Sequence, residues 1–370
     1  MKIGVIGAGR LGICFALLLE KAGYEVVSSD VREDYVKNLQ EKTIVTNEPL
    51  VQELLTESKN ITFKTGNFDV IKECDIFYTL VATPSVPDGS YDVSAVWNVI
   101  TDIQESGIDV KGKTFVVGCT TNPGDCELFQ KQLEPYGVDV FYNPEFIAQG
   151  SIIKDLQNAD MVLIGGSGDH LDVLKEIYNR IQLIEPKICS MSTTAAELVK
   201  LAVNCFLTTK ISYANMVGEV MSLAGLENEI ENVLQAIGSD TRVGGKYLKY
   251  GYGFGGPCLP RDNRSFAAYA KKLGLQYNLG TVTDDFNNEH SKFLKNYFLK
   301  KNTRNVPFCF HYISYKEGTD ILTESQQYRL CLDLLNEGYK VYVVEDYVKS
   351  QCDDRIIFGI PNEEVFWIEL

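Results

Sequence analysis

The chain has 370 residues, with 35 Lys and Arg against 50 Asp and Glu, giving a formal net charge of −15. So acidic a surface excludes nonspecific nucleic-acid binding and attraction to anionic membranes, so a phosphate-bearing ligand would need basic residues gathered locally. The length allows two or three domains with ample core. The ten cysteines show no CxxC pair and no repeated spacing, and there is no secretory leader, which is the pattern of reduced thiols in a cytoplasmic protein rather than a disulfide frame. No apolar run approaches the roughly 18 residues of a membrane span, and no internal repeat or low-complexity tract interrupts the chain.

Residues 2–6 read as a buried strand, followed by Gly7-Ala8-Gly9-Arg10-Leu11-Gly12 and an apolar helix to about Lys21. Gly23-Tyr24 turns the chain into a second strand that ends at Asp30. A GxGxxG alone is a weak signal; flanked by strand and helix, with an acid closing the next strand, it is the dinucleotide fingerprint. Gly7 allows the tight turn, Gly9 lets a pyrophosphate approach the helix N-terminus, and Gly12 permits close helix–strand packing. Asp30 is placed to accept from the adenosine ribose hydroxyls and to repel a 2′-phosphate, favouring NAD over NADP, with Arg32 working the other way.

Strands and helices alternate to about residue 190, with strand candidates at 75–82, 114–119, 138–142 and 161–165. The pattern predicts a doubly wound Rossmann-type α/β sheet with right-handed crossovers. Ligands bind such sheets at the strand C-termini. There lie Val81-Ala82-Thr83-Pro84-Ser85, then Cys119-Thr120-Thr121-Asn122-Pro123-Gly124, then Asn143-Pro144-Glu145-Phe146. Each is ordinary turn chemistry taken singly; three on one sheet edge suggest a site.

From about residue 193 the pattern becomes one long helix, to about 223, of roughly 45 Å. That is long enough to bridge two domains or to pair with its copy in a dimer. Glu197, Lys200 and Asn204 share one face of it, within an otherwise apolar stretch, and a lysine buried there must have its desolvation offset. Further on, Gly253-Phe254-Gly255-Gly256-Pro257-Cys258-Leu259-Pro260-Arg261-Asp262 sets a cysteine between a glycine-rich loop and a helix start. The glycines would supply positive φ and close ligand approach; the helix N–H groups and dipole would favour thiolate. Residues 265–273 read as helix, as does 284–300. A short α/β block follows, with strands at 306–314 and 339–345 around a helix at 325–337. The expected domains are thus 1–190, an NAD-binding Rossmann-type unit; 191–302, a central helical unit with the cysteine loop; and 303–370, a short C-terminal nucleotide-sugar-binding unit.

Over nearly its whole length the chain resembles the UDP-glucose/GDP-mannose dehydrogenase family of nucleotide-sugar dehydrogenases. The matching stretches are 7–12, 81–85, 143–150, 196–207, 255–262 and 316–320, in the family's order and near its spacing. The resemblance implies NAD as cofactor and a four-electron oxidation of a sugar C6 alcohol to the carboxylate, as used in polysaccharide biosynthesis. Cys258 matches the nucleophile that carries a thiohemiacetal and then a thioester, because a sulfur adduct turns an aldehyde into an alkoxide able to donate hydride. Lys200 and Asn204 match the pair on the reacting oxygen, where an ammonium stabilises developing negative charge. Glu145 matches the carboxylate that activates the hydrolytic water, Asp262 a companion carboxylate, and Thr120 a residue placing that water.

The same resemblance assigns the 7–12 loop, Asp30, the 81–85 loop, Thr120 and Gln149 to the cofactor. It assigns Phe146, Ile147, Tyr247, Lys249, Phe254, Gly255 and Lys316, with Glu145, Lys200 and Asn204, to the sugar nucleotide. Arg242 matches a contact that reaches across a homodimer. No metal is implied. The departures are Gln149 where the family usually has a second glutamate, Thr323 where it commonly has arginine, Tyr35 for a frequent basic residue, and a short C-terminal domain whose first strand lacks the usual glycine-rich start. UDP-glucose is the expected substrate, because the N-acetylhexosamine branch usually has His where this chain has Pro257. The alternatives are GDP-mannose or another nucleotide sugar, a two-electron β-hydroxyacid-type dehydrogenase, and a catalytically idle nucleotide-sugar binder.

Overall fold

The computed structural model describes residues 1–370, and the chain forms two compact units, Met1–Lys200 and Leu201–Leu370. The helix Thr193–Leu223 contributes residues to both.

The first unit is built on eight strands: β1 (Lys2–Ile6), β2 (Glu25–Asp30), β3 (Ile61–Thr65), β4 (Ile76–Thr79), β5 (Thr114–Val117), β6 (Asp139–Tyr142), β7 (Val162–Gly165) and β8 (Ile188–Met191). They lie in the order β3-β2-β1-β4-β5-β6-β7-β8. Apolar residues run almost without a break along the central strands because helices cover both faces. On one face Ile3 and Val5 pack with Phe15, Tyr78 and Tyr178; on the other Ile6 packs with Phe77 and Phe115. Strand order reverses at β1, which pairs with β2 on one side and β4 on the other. The crevice at that reversal is where such sheets take nucleotides.

The sheet is doubly wound as expected, with one pair that departs from its parallel arrangement. β7 runs antiparallel to β6 through the single pair Tyr142↔Gly165. The connection between them holds only the six-residue helix Ile152–Gln157, which rises about 9 Å, too little for a return crossover. The chain therefore re-enters the sheet from the edge it has just left. β3 and β8, at the two edges, went unseen in the sequence because their residues are only partly buried and carry a weak apolar signal.

In the second unit the helix Leu259–Lys272 starts directly after Cys258, at the helix start anticipated there, with Pro260 in its first turn. The next, Leu279–Lys301, starts earlier than the sequence pattern suggests, because the Asn278 side chain caps it by accepting from the Thr281 N–H. A small parallel sheet follows: β9 (Phe308–Phe310), β10 (Val341–Val343), β11 (Ile357–Phe358) and β12 (Phe366–Trp367), in the order β11-β10-β9-β12. Phe308, Phe310, Leu330, Leu334, Val341 and Val343 form its core. No helix of the chain is long and apolar enough to cross a membrane.

Candidate active site

At the carboxyl edge of the first sheet, successive loops are tied to neighbouring strands. Gly7 N–H donates to the Ser29 carbonyl, Leu80 to Ile6, Gly118 to Thr79 and Asn143 to Val117. The three loops singled out in the sequence therefore do share one edge with the glycine loop. Gly7 has φ +92°, and a Cβ there would sit 2.7 Å from the Leu80 carbonyl oxygen. A Cβ on Gly12 would run into the Gly7 carbonyl, whereas one on Gly9 would meet nothing within 4 Å. Gly9 is also the N-cap of the helix Arg10–Lys21, so open space stands over unsatisfied helix N–H groups. That is an anion cradle, and it fits a pyrophosphate.

Asp30, 7% exposed, ends β2 as anticipated, but its carboxylate is already engaged. Oδ1 accepts from Arg32 N and Nε at 3.1 and 2.8 Å, and Oδ2 accepts from Nη2 at 2.9 Å. Burial opposes ionisation, yet these bonds and the guanidinium charge hold the carboxyl below its ordinary range. The Ala8 N–H adds to the same stabilisation of the carboxylate. The guanidinium lies 4.1 Å above the Tyr35 ring, and the Tyr35 hydroxyl donates to the Ala8 carbonyl at 2.9 Å. Tyr35, which replaces a basic residue, thus braces both Arg32 and the glycine loop. Arg10 Nη1 donates to Gln149 Oε1 at 3.2 Å, which brings Gln149 to that loop.

Glu145 follows β6, and its carboxyl turns onto the buried Tyr178 hydroxyl, 2.5 Å from Oε1. Burial pushes its pKa up to about 7, against the Tyr178 hydrogen bond and the Lys200 charge. Lys200, 7% exposed, donates to the Glu145 carbonyl at 3.0 Å and lies 4.8 Å from the Phe146 ring centroid. The buried ammonium is thus held by a carbonyl and an aromatic face. Glu197, on the same face, is an anchor: Thr121 Oγ1, Gly124 N and Cys126 N all donate to it. It ties the loop carrying the half-buried Thr120 to the long helix. Thr83 is buried, while Ala82, Pro84 and Ser85 are exposed and Val81 and Ile147 are intermediate.

In the second unit Cys258 is the N-cap of its helix and is the one exposed cysteine of the ten. Its carbonyl accepts from Asp262 N at 2.9 Å. Asp262, 2% exposed, accepts at Oδ2 from Asn204 Nδ2. Cysteine, carboxylate and amide are thereby assembled around the first helical turn. Asparagines hold the preceding loop: Asn287 accepts from Phe254 N and donates to its carbonyl, at 2.9 and 3.0 Å, and Asn215 accepts from Gly251 N at 3.0 Å.

One expectation about this loop needs correction. Only Gly256 among Gly253, Gly255 and Gly256 has positive φ, +81°. The other two lack a side chain because the protein itself occupies the space: a Cβ on Gly253 would strike Asn287 Oδ1, and one on Gly255 the Glu324 carbonyl. Phe254, assigned to the substrate, is only 2% exposed and meets Asn287 through its backbone. Arg242, Tyr247, Lys249 and Lys316 are exposed. Arg242 is paired with Asp240 at 2.7 Å; the Lys316 carbonyl accepts from Ser314 Oγ and Thr319 Oγ1. Sequence reasoning missed Tyr178, Asn215 and Asn287, none of which carries a local motif, and took Asn143 only as part of its turn.

A glycine cradle at the switch point of a Rossmann-type sheet, an acid closing β2, and a buried lysine–carboxylate group on the same unit define an NAD-binding dehydrogenase. Comparison with known proteins narrows this. Sequence models of the UDP-glucose/GDP-mannose dehydrogenase family match residues 1–182 (NAD binding domain) and 194–289 (central domain). The chain belongs to that family, the nucleotide-sugar dehydrogenases. It is 28% identical to UDP-glucose 6-dehydrogenase AglM of Haloferax volcanii, over 96% of this chain and 85% of that one. Against GDP-mannose 6-dehydrogenase of Pseudomonas aeruginosa it is 27% identical, over 94% and 82%. The structure of a UDP-glucose dehydrogenase from Pyrobaculum islandicum superposes with a TM-score of 0.87 at 27% identity, covering 97% of this chain and 86% of that chain.

Proposed function

We propose that this protein oxidises the C6 hydroxyl of UDP-glucose to the carboxylate, consuming two NAD⁺ per sugar, with Cys258 holding the sugar between the two oxidations. The observation that carries the reading is Cys258 itself, exposed at a helix N-terminus while its nine counterparts are buried or half-buried. Bound NAD supplies the hydride acceptor, once for each oxidation. Lys200 stabilises negative charge on the reacting oxygen, and Asn204 donates to it. The Cys258 sulfur adds to the aldehyde carbon, giving a thiohemiacetal; loss of a second hydride and of the hydroxyl proton leaves a thioester. Water then attacks that carbonyl, its proton passes to Glu145, and the C–S bond breaks to return the thiolate.

UDP-glucose is preferred to other nucleotide sugars because Pro257 precedes the cysteine. The 27–28% identities to relatives acting on different sugars leave that choice to experiment. We further propose that the protein is a homodimer built on the long helix. Phe206, Tyr213 and Val220 are exposed at intervals of seven, as are Met216 and Leu223, an a/d seam suited to its own copy about a two-fold axis. The unbridged cysteines favour a reducing compartment, the cytoplasm.

The test is NADH formed per sugar, with UDP-glucose and GDP-mannose offered in turn. Two NADH per UDP-glucose in the wild type, and none beyond the first in Cys258→Ser, are expected. One per sugar in the wild type would mean a two-electron dehydrogenase that needs no thiol. Saturable binding without turnover would mean a nucleotide-sugar binder.

A further inference from the structure

Behind Glu145 lies a group that the chemistry above does not use. Asn143, 2% exposed, donates through Nδ2 to the Leu163 carbonyl at 2.9 Å. Only an amide nitrogen can make that bond, so Oδ1 faces the other way and can only accept. The Tyr178 hydroxyl lies 2.6 Å from this Oδ1 and 2.5 Å from Glu145 Oε1. It has one proton for two acceptors. Two arrangements satisfy the geometry. In the first, Tyr178 donates to Asn143 and the proton toward Glu145 is the carboxyl's own, so Glu145 is neutral. In the second, Tyr178 has rotated its proton to a Glu145 carboxylate and Asn143 Oδ1 loses its donor. The two differ by one proton on Glu145 and the turn of one hydroxyl, with no heavy atom moved.

We propose that Tyr178 is a positioning residue that holds Glu145 by Oε1, leaving Oε2 for the hydrolytic water, and that its competition with Asn143 sets the pH at which the catalytic carboxylate exists. The inference rests on the reading of Glu145 as the base of thioester hydrolysis. Tyr178 favours the carboxylate by donating to it; Asn143 favours the acid by drawing that proton away. The other ionisable groups facing Glu145 are Lys200 from the long helix, whose charge favours the carboxylate, and Tyr78 from β4, whose buried hydroxyl has no hydrogen-bond partner. The raised pKa of Glu145, about 7, agrees with a balance poised near neutrality.

Opposite substitutions should therefore move the same titration in opposite directions. Tyr178→Phe should shift the acidic limb of the kcat profile with UDP-glucose upward by about 1–2 pH units, the worth of a hydrogen bond to a charged group. The plateau above the limb should stay within about tenfold of wild type. Asn143→Ala should shift the limb down. The same displacements should appear without turnover, in the infrared titration of the carboxylic C=O band that Glu145→Gln abolishes; this also reads any variant too damaged for kinetics. Limbs and bands that stay put in both variants, or move the same way, overturn the inference while two NADH per sugar leaves the parent reading intact. One NADH per sugar, or an acidic limb unchanged in Glu145→Gln, overturns both.

Discussion

Glu145→Gln should make this protein more stable above neutral pH while stopping its turnover. The carboxyl sits against a buried hydroxyl, with burial raising its pKa from the ordinary 4.5 to about 7. A group whose folded pKa is raised binds more protons in the native state than in the unfolded one across that interval. Stability therefore falls as pH rises from about 4.5 to about 7 and stays low beyond it. At about 1.4 kcal/mol per factor of ten, the cost of the carboxylate at pH 8 is capped near 3 kcal/mol. Because the residue is partly exposed, about 1–3 kcal/mol is the reasonable range. Glutamine keeps the shape of the neutral acid and can donate to Tyr178 as that acid does, without the charge. The midpoint of the thermal transition of the first unit, followed calorimetrically without ligand, should rise by about 2–4 °C per kcal/mol in Glu145→Gln at pH 8. At pH 4 the two proteins should agree. A variant equally stable, or less stable, at pH 8 would refute the claim that this carboxylate is held at a cost in the folded protein.

Asp30→Ala should raise KM for NAD by about tenfold or more, since a hydrogen bond to a charged acceptor is lost. It also releases the Arg32 guanidinium to meet a 2′-phosphate, so kcat/KM for NADP relative to NAD should climb; an unchanged ratio would remove Asp30 from the ribose site. Val220→Asp places a charge in the exposed seam on the long helix, and sedimentation should show the proposed dimer dissociating at protein concentrations about tenfold or more above those for wild type. A mass that does not change would send the search for a subunit interface elsewhere.

Much of the architecture could be read directly from the residues because each signal is local. Gly7, Gly9 and Gly12 stand at fixed offsets from a strand and a helix, and the structure places them as that spacing requires. The helix Thr193–Leu223 was legible from end to end because no Gly or Pro breaks it until Gly218, whose missing Cβ is explained by the Tyr250 ring lying against it. The reversal of β7 was not legible: an apolar run of four residues reads the same in both directions, and only the length of the connection before it decides the sense.

The chemistry of the proposed site could be read from the sequence, and its support could not. Cys258 before a helix start and Lys200 in an apolar stretch stand out locally, and Glu145 stands out through the family resemblance. Tyr178 is the opposite case. With Leu174, Ile177 and Ile181 it completes the buried stripe of the helix Leu171–Ile181, spaced as any core stripe is, and nothing marks its hydroxyl as different. Its role depends on which way the Asn143 amide faces, and that depends on a carbonyl of β7, the strand whose direction the sequence did not reveal. The Leu163 carbonyl that fixes the amide lies on β7, beside the one antiparallel pair of an otherwise parallel sheet, and the amide so fixed turns Oδ1 to the hydroxyl as the competitor of Glu145.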